Sequence, residues 1–444
     1  DERMSDIARK GQSTRHRNRF RLVSVLWLLL GAAVGYGAGA LLQWSSIAPL
    51  VSGAHTTTVV VTFVSFVVLA MVVRYIRRFA LVNLWATVFL LWLLAFALNV
   101  VVLMALDVEL PLLFSLGFYL AALVTVGIWI RIIKKVQYLR LMVVPAGITD
   151  EVVAANHEQL ALTVLDGPEE PGPHQANGSG QQAAVGAREY DGVVVDTREA
   201  VSEPWVRFLT RCRLEGLRIY EAGDLFEAVS GRVSVRHFSR GMVQNISASP
   251  FYRFGKRVLD VVGVIVTLPV TLLLMAATAA AVRIETPGAV LFTQTRIGEH
   301  GRPFTIVKFR SMVTDSERHG PKFAAAGDAR VTRVGAFIRR FRLDELPQIW
   351  NILKGEMSWI GPRPEQPAFV EQFSRAIPYY AYRHTVKPGI TGWAQVNQGY
   401  AADEESTRDK LEFDLYYIKH FSFWLDLLIV FKTLKTILTG FGAR

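Results

Sequence analysis

The first third of the chain alternates long apolar runs with short polar connections. The runs, approximately Arg21–Gln43, Thr56–Val73, Ala80–Leu106 and Pro111–Ile133, each approach the length a bilayer-spanning helix needs. Their connections alternate in charge. Arg15, Arg17, Arg19 and Arg21 precede the first run, and "SSIAPLVSGAHTT" after it has no Lys, Arg, Asp or Glu. Arg74, Arg77 and Arg78 follow the second, "DVE" joins the third to the fourth, and Arg131, Lys134 and Lys135 close the set. Basic flanks stay in the cytoplasm, so the pattern predicts a four-helix transmembrane domain over 1–137 with both ends inside. The competing reading is a large buried helical core. The basic start shows no small-residue cleavage site after its first apolar run, so it reads as an anchor and not as a removed signal peptide.

From residue 138 the apolar segments shorten. "LRLMVV", "LALTVLD" and "YDGVVVD" have the length and composition of strands, with a polar Gly/Pro loop, "EEPGPHQANGSGQQAAVG", between the last two. The helix "VRFLTRCRLEGL", then "RIYEAG" and "LFEAVSGR", complete a βαβα pattern. A small α/β, Rossmann-like domain is predicted over 138–248. Dinucleotide binding would require G-x-G-x-x-G between the first strand and first helix. "VVPAGITDE" does not supply it, so the domain is expected to be structural or regulatory, without a cofactor.

A third pattern covers 249–444. Its apolar run from Val261 to Val282 is long enough to cross a bilayer, but Pro269 lies inside it. Proline removes a backbone donor and clashes with the preceding turn, so it kinks or breaks a helix. Arg253, Lys256 and Arg257 flank the run on one side and Arg283 on the other. Two basic flanks predict a re-entrant helix near 254–283 that enters and leaves on the cytoplasmic side, against an ordinary kinked crossing. The closing stretch "FSFWLDLLIVFKTLKTIL" is apolar with dispersed charges, and reads as a helix along the interface.

Composition fits this division. The 444 residues suffice for about three domains, and 51% are hydrophobic although 20% are charged. The net charge of +11, crowded beside apolar runs, favours anionic lipid headgroups or phosphorylated substrates. No nucleic-acid motif is present. With one cysteine, Cys212, no internal disulfide can form, and a metal would need other ligands.

The densest chemistry lies in "RRFRLDELPQIWNILKGEMSWIGPRPE", Arg339 to Glu365. Asp344 is placed as a helix N-cap, with Glu345, Leu346 and Pro347 as the first turn. Free amides and the helix dipole favour negative charge there, so Asp344 is expected to be ionised near neutral pH. The same features suit phosphate, and Arg339 and Arg363 can donate to it bidentately. An ionised carboxylate beside arginines can attack phosphorus, with Glu345 holding a divalent ion or handling a proton. By spacing alone, a capping aspartate merely paired with its arginines is the commoner reading. Lys308 and Arg310 in "VKFRSM" alternate with apolar neighbours on a predicted strand. They either line a phosphate pocket or solvate the strand. His384 reads as structural.

"KFRSM", "RLDELPQIWNILKGEMSWIGPRPE" and "VKPGITGWAQVN" (Val386–Asn397) follow in an order that resembles the bacterial sugar transferase family, the monotopic phosphoglycosyl transferases. The likeness covers about Phe251 to the C-terminus. With the apolar runs and the α/β module, the chain resembles the long members described as undecaprenyl-phosphate glucose or galactose phosphotransferases of exopolysaccharide systems. The resemblance implies transfer of hexose-1-phosphate from a UDP-sugar to polyprenyl phosphate with release of UMP, starting exopolysaccharide or O-antigen synthesis. It implies Asp344 as the nucleophile that forms a phosphosugar-aspartyl intermediate, and Glu345 as its Mg²⁺-associated partner. By the same resemblance Arg339 and Arg363 bind phosphate, Asp414 in "EFDLYY" takes an acidic position of unassigned role, and Pro269 breaks the re-entrant helix. A bacterial inner-membrane location with a cytoplasmic catalytic face and a homodimer through the α/β module are also implied. Two departures matter, one being that the stretch between Asp260 and Pro269 is shorter by about one helical turn than the resemblance leads one to expect. "QGYAADEES" follows Asn397 where many members have Gly-Arg, and Arg408 is the candidate replacement for that phosphate-binding arginine. Two rivals are a non-catalytic membrane scaffold for glycan assembly and a membrane-tethered nucleotide-sugar oxidoreductase. The intact Asp-Glu pair weighs against the first, and the missing glycine fingerprint against the second.

Overall fold

A computed structural model of the chain describes residues 84–105, 139–155, 160–168, 190–236, 249–313, 328–398 and 404–439, with residue 238 and short stretches between 60 and 128. The apolar run 21–43 and most of the Gly/Pro loop lie outside the described residues, and the runs at 56–73 and 111–133 are described only in part. The chain divides into two compact units, Asp1–Ser230 and Gly231–Arg444.

In the first unit the third apolar run forms α1, Leu84–Ala105. Its polar residues find partners in neighbouring runs. Trp92 Nε1 donates to the Tyr119 carbonyl at 2.6 Å, and Asn99 Nδ2 to Thr62 Oγ1 at 3.4 Å. Such bonds join helices that bury few other polar groups. Beyond them, β1 (Leu139–Val143), α2 (Thr149–Ala154), β2 (Leu160–Val164), β3 (Gly192–Val195), α3 (Glu203–Leu214), β4 (Arg218–Glu221) and α4 (Ala222–Ser230) form an α/β module. The sheet is wholly parallel in the order β2-β1-β3-β4. Strands covered on both faces read as continuous apolar runs, as "GVVV" does. Met142, Val193 and Val195 pack on Phe208 and Cys212 of α3, while Leu141, Val143 and Val194 pack on Val152 of α2 and Phe226 of α4.

The second unit begins with residues that bond to its own later helices: Trp393 Nε1 donates to the Gly231 carbonyl and Val233 N to that of Glu412. Next comes α5, Pro250–Glu285, capped by Ser249 with proline at its first position, and the one described helix long and apolar enough to cross a membrane. The helix continues through Pro269, which corrects the expected break there. Thr267 and Thr271 return hydroxyl bonds to the carbonyls of Gly263 and Thr267, back-bonding of the kind that bends helices without ending them.

Both ends of α5 are held by this unit. Near its start Lys256 and Tyr252 bond Asp426, and Asp260 accepts from Ser358 Oγ and Trp359 N. Gly263 admits the Trp359 indole, whose Nε1 would stand 2.8 Å from any Cβ. At its end Glu285 accepts from Val334 N at 3.0 Å. An antiparallel hairpin, β5 (Leu291–Ile297) and β6 (Pro303–Phe309), takes Val264 onto Ile306 and Val282 onto Phe309. Helix α6 (Arg333–Arg340), α7 (Ile349–Lys354), β7 (Ser358–Ile360), α8 (Pro367–Ala376), β8 (Gly389–Thr391), α9 (Trp393–Asn397), α10 (Glu404–His420) and α11 (Phe423–Thr439) complete the unit. β7 and β8 pair in parallel. Leu425, Leu428 and Ile429 bury one side of α11, leaving Val430 and Leu434 exposed.

Candidate active site

Helix α6 stops at Phe341, and Arg342 takes the left-handed conformation, φ 59° and ψ 21°. A non-glycine residue there costs about 1–2 kcal/mol, so the surrounding packing must enforce it. Leu343 and Leu346 supply that packing on Ile338, Val282 and Phe309. The reversal launches a 3₁₀ turn, Leu343–Gln348, before α7 begins. Asp344 therefore lies inside a 3₁₀ turn and is not the N-cap of the helix, which corrects the capping expectation. The tight turn projects two consecutive carboxylates into different surroundings.

Glu345 is 4% exposed and takes three cations. Arg363 Nη2 donates to its Oε1 at 2.8 Å, Lys308 Nζ to the same oxygen at 3.3 Å, and Arg342 Nη1 to Oε2 at 3.5 Å. Burial alone would raise its pKa, but Arg363, Lys308 and Arg342 outweigh burial and hold Glu345 far below the usual carboxylate range. Asp344 is half-buried, and no described side chain forms a hydrogen bond or ion pair with it. Burial, and then the charge of Glu345, push its carboxyl up to about 6, against the pull of Lys308, Arg363 and Arg339. Asp344 is thus mostly ionised at pH 7, while keeping the basicity of a poorly solvated carboxylate. Burial lowers Lys308 to about 8 despite the opposing charge of Glu345.

Lys308 comes from β6 and Arg363 from the "GPRP" loop after β7, so strand geometry brings both to the turn. Arg339, in the last turn of α6, acts electrostatically on Asp344 without pairing to it. Arg310 turns elsewhere. Its guanidinium bonds Thr286 O, Thr286 Oγ1 and Pro287 O, tying the end of α5 to the end of β6. Arg408 ion-pairs with Glu404 one turn away on α10, and no bond joins it to the dyad among the described residues. Asp414, also on α10, is buried and holds Arg383 through Nε at 3.1 Å and Nη2 at 2.8 Å. Arg342 and Arg383 were missed as functional candidates. The charge of Arg342 was visible beside the acids, whereas nothing near Arg383 in sequence points to Asp414.

Residues 251–440 match the profile of the family described as bacterial sugar transferase. A UDP-N-acetylgalactosamine-undecaprenyl-phosphate N-acetylgalactosaminephosphotransferase of Aeromonas hydrophila is 53% identical over 261 residues, which are 59% of this chain and 62% of that protein. A UDP-glucose:undecaprenyl-phosphate glucose-1-phosphate transferase of Escherichia coli is 45% identical over 183 residues, 41% of this chain and 39% of that protein. A protein of the same description from Caulobacter vibrioides is 44% identical over 188 residues, 41% of this chain but 70% of the relative. The chain belongs to the bacterial sugar transferase family. As a bacterial sugar transferase it spans less than two thirds of the first two relatives' lengths. The family match takes in the whole site, from α5 through the acidic turn to α11.

Proposed function

We propose that the chain transfers hexose-1-phosphate from a UDP-sugar to polyprenyl (undecaprenyl) phosphate, forming polyprenyl-diphosphate-sugar and UMP as the first lipid-linked step of exopolysaccharide or O-antigen synthesis. The observation that carries this reading is the divided dyad: Glu345 is paired with three cations while Asp344, one residue earlier, has none bonded to it among the described residues. A carboxylate spent on structure would be paired. The relatives' described activities support the substrate class.

An Asp344 oxygen attacks the β-phosphorus of the UDP-sugar, and the bond to the bridging oxygen breaks with its electron pair leaving on UMP. The product is a phosphosugar-aspartyl anhydride. A phosphate oxygen of the polyprenyl carrier then attacks the same phosphorus, the diphosphate forms, and Asp344 leaves as a carboxylate. One phosphoanhydride is consumed and one made, so the two steps have comparable energies. Such transfers depend chiefly on positioning and on charge around the phosphoryl oxygens. Arg339, whose side chain has no partner among the described residues, and Arg363, which can share its fork between Glu345 and substrate, supply that charge.

Magnesium fits the donor set. It binds through one or two carboxylates plus substrate phosphates, and Glu345 Oε2, whose sole partner among the described residues is Arg342 at 3.5 Å, has room for it beside Asp344. Glu345 and Asp344 would hold the ion, which would neutralise diphosphate charge.

The membrane setting has its own support. Val266, Val270 and Leu273 on α5 are 71%, 63% and 74% exposed around Pro269, an apolar surface that water would disfavour. Because both ends of α5 bond to the same compact unit, a full crossing would demand that unit on both faces of the bilayer. A continuous helix that is bent near Pro269 and stays within one leaflet satisfies both ends. Phe337 on α6 and Phe341 just past its end, with Trp350 on α7, are exposed on either side of the acidic turn. Aromatic side chains there fit a headgroup-level site, on the cytoplasmic face of a multi-pass inner-membrane protein.

Purified full chain is incubated with undecaprenyl phosphate, Mg²⁺ and UDP-glucose, UDP-galactose or UDP-N-acetylgalactosamine, and UMP is measured. Release with at least one donor, together with a phosphosugar adduct on Asp344 in acid-quenched samples, is expected. No UMP from any donor overturns the transfer, and sustained product without an adduct overturns the covalent route.

A further inference from the structure

The loop that carries Arg363 is pinned at four consecutive carbonyls. Gly389 N donates to Pro362 O at 3.0 Å, Arg383 Nη2 to Arg363 O at 3.0 Å, Arg296 Nη1 to Pro364 O at 3.1 Å, and Ile297 N to Glu365 O at 2.9 Å. Two of these donors are backbone amides, as strands and loops commonly supply. The other two are guanidiniums brought from distant segments. Arg383 is 3% exposed, and its remaining nitrogens are committed: Nε and Nη2 to Asp414 and Nη1 to Tyr380 Oη.

Burying an arginine and an aspartate together costs desolvation that their attraction barely repays, so the pair is weak as a stabilising device. Its geometry does something specific instead. Arg383 reaches the carbonyl of the one residue in the loop whose side chain grips Glu345. Glu365, two residues further on, anchors the same framework through Lys410 and Arg296. The guanidinium of Arg363 therefore extends from a backbone fixed on both sides.

We propose that Asp414 and Arg383 are positioning residues for Arg363: Asp414 orients Arg383, Arg383 fixes the Arg363 carbonyl, and the Arg363 guanidinium is thereby held on Glu345 and on the transferred phosphate. This rests on the function proposed above. Neither residue touches substrate. Small displacements of a group that acts on the transition state can cost about a hundredfold in rate.

The test is a double-mutant cycle on the full chain in lipid, with wild-type UMP release measured first. Asp414→Asn is expected to lower kcat by about 10–100-fold with a smaller change in donor KM, and Asp414→Glu to recover part of that loss. In an Arg363→Ala background the same Asp414→Asn change is expected to cost less than about twofold, because the group being positioned is gone. Arg383→Lys, which keeps the charge but cannot bond Asp414 and the carbonyl together, serves as a second arm. Equal losses in both backgrounds overturn the positioning role while leaving the transfer reaction standing. Failure of Asp414→Asn and Arg383→Lys to fold assigns the cluster to stability and also overturns it. A wild-type chain without UMP release removes the parent reading and this one with it.

Discussion

Two aspartates in this chain, Asp196 and Asp344, follow similar beginnings to opposite ends. Asp196 stands just past β3 in the α/β module, wholly buried. It accepts from Ile148 N at 3.2 Å, Arg198 N at 3.1 Å and Arg198 Nε at 3.1 Å. Burial raises its pKa, but those hydrogen bonds and the Arg198 charge outweigh burial and hold it below the ordinary value. Asp344 stands in a tight turn amid arginines and accepts nothing. Its carboxyl is pushed upward by burial and by Glu345. A carboxylate supplied with donors is a structural part; one denied them while cations wait nearby is a reagent. Proximity to arginine does not separate the two, because both have it. Satisfaction of the oxygens does.

The most severe way to break this contrast is Asp344→Asn. Turnover is expected to fall by at least about a thousandfold, the scale of losing a covalent nucleophile, with membrane insertion and melting temperature retained. UMP release near the wild-type rate would end the assignment. Arg363→Ala comes next, with an expected loss of about 100–1000-fold, comparable to removing one donor to developing charge. A loss confined to donor KM would instead make Arg363 a ground-state binder.

Acidity sharpens the contrast more gently. In the proposed reaction Asp344 attacks in its deprotonated form, and its carboxyl is pushed up to about 6, so kcat/KM should fall about tenfold per unit as pH drops below that value. Lys308 loses its charge as pH rises past about 8, so a second decline belongs on the alkaline side. A profile flat from pH 5 to 7 would show that the nucleophile is not poised in this way. Asp196, already ionised throughout that range, contributes no limb.

Local clustering made the acidic turn legible: Asp344, Glu345, Arg339 and Arg363 lie within one short stretch, and their charges announce phosphate chemistry. The strands of the α/β module were legible because "LRLMVV" and "GVVVD" are short, apolar and bounded by turn residues. What escaped depended on long-range closure or on unusual backbone. No glycine marks the left-handed Arg342, so the turn looked like an ordinary helix start. Lys308 and Arg310 differ by one strand step and looked equivalent. Lys308 meets Glu345, while Arg310, just past the strand end, meets the carbonyls that close α5. Pro269 promised an interruption, but the helix runs through it. The Asp414–Arg383 pair joins positions that nothing in either neighbourhood connects.

The smallest expected effect comes from the satisfied aspartate. Gly147 turns at φ +58° so closely above Asp196 that a Cβ there would stand 2.4 Å from Oδ2, so the carboxylate is built into the loop after β1. Asp196→Asn keeps the shape but offers an amide where one of the backbone or arginine donors must still bond. Leaving such a buried donor unmet costs about 1–3 kcal/mol. Hydrogen exchange should show faster opening of the amides around Ile148 and Arg198, while UMP release at a temperature where the module remains folded changes less than about twofold, as expected for sites that share no partners. A catalytic loss as deep as that of Arg363→Ala would erase the distinction, because an oxygen with all its donors would then matter to the chemistry as much as one with none.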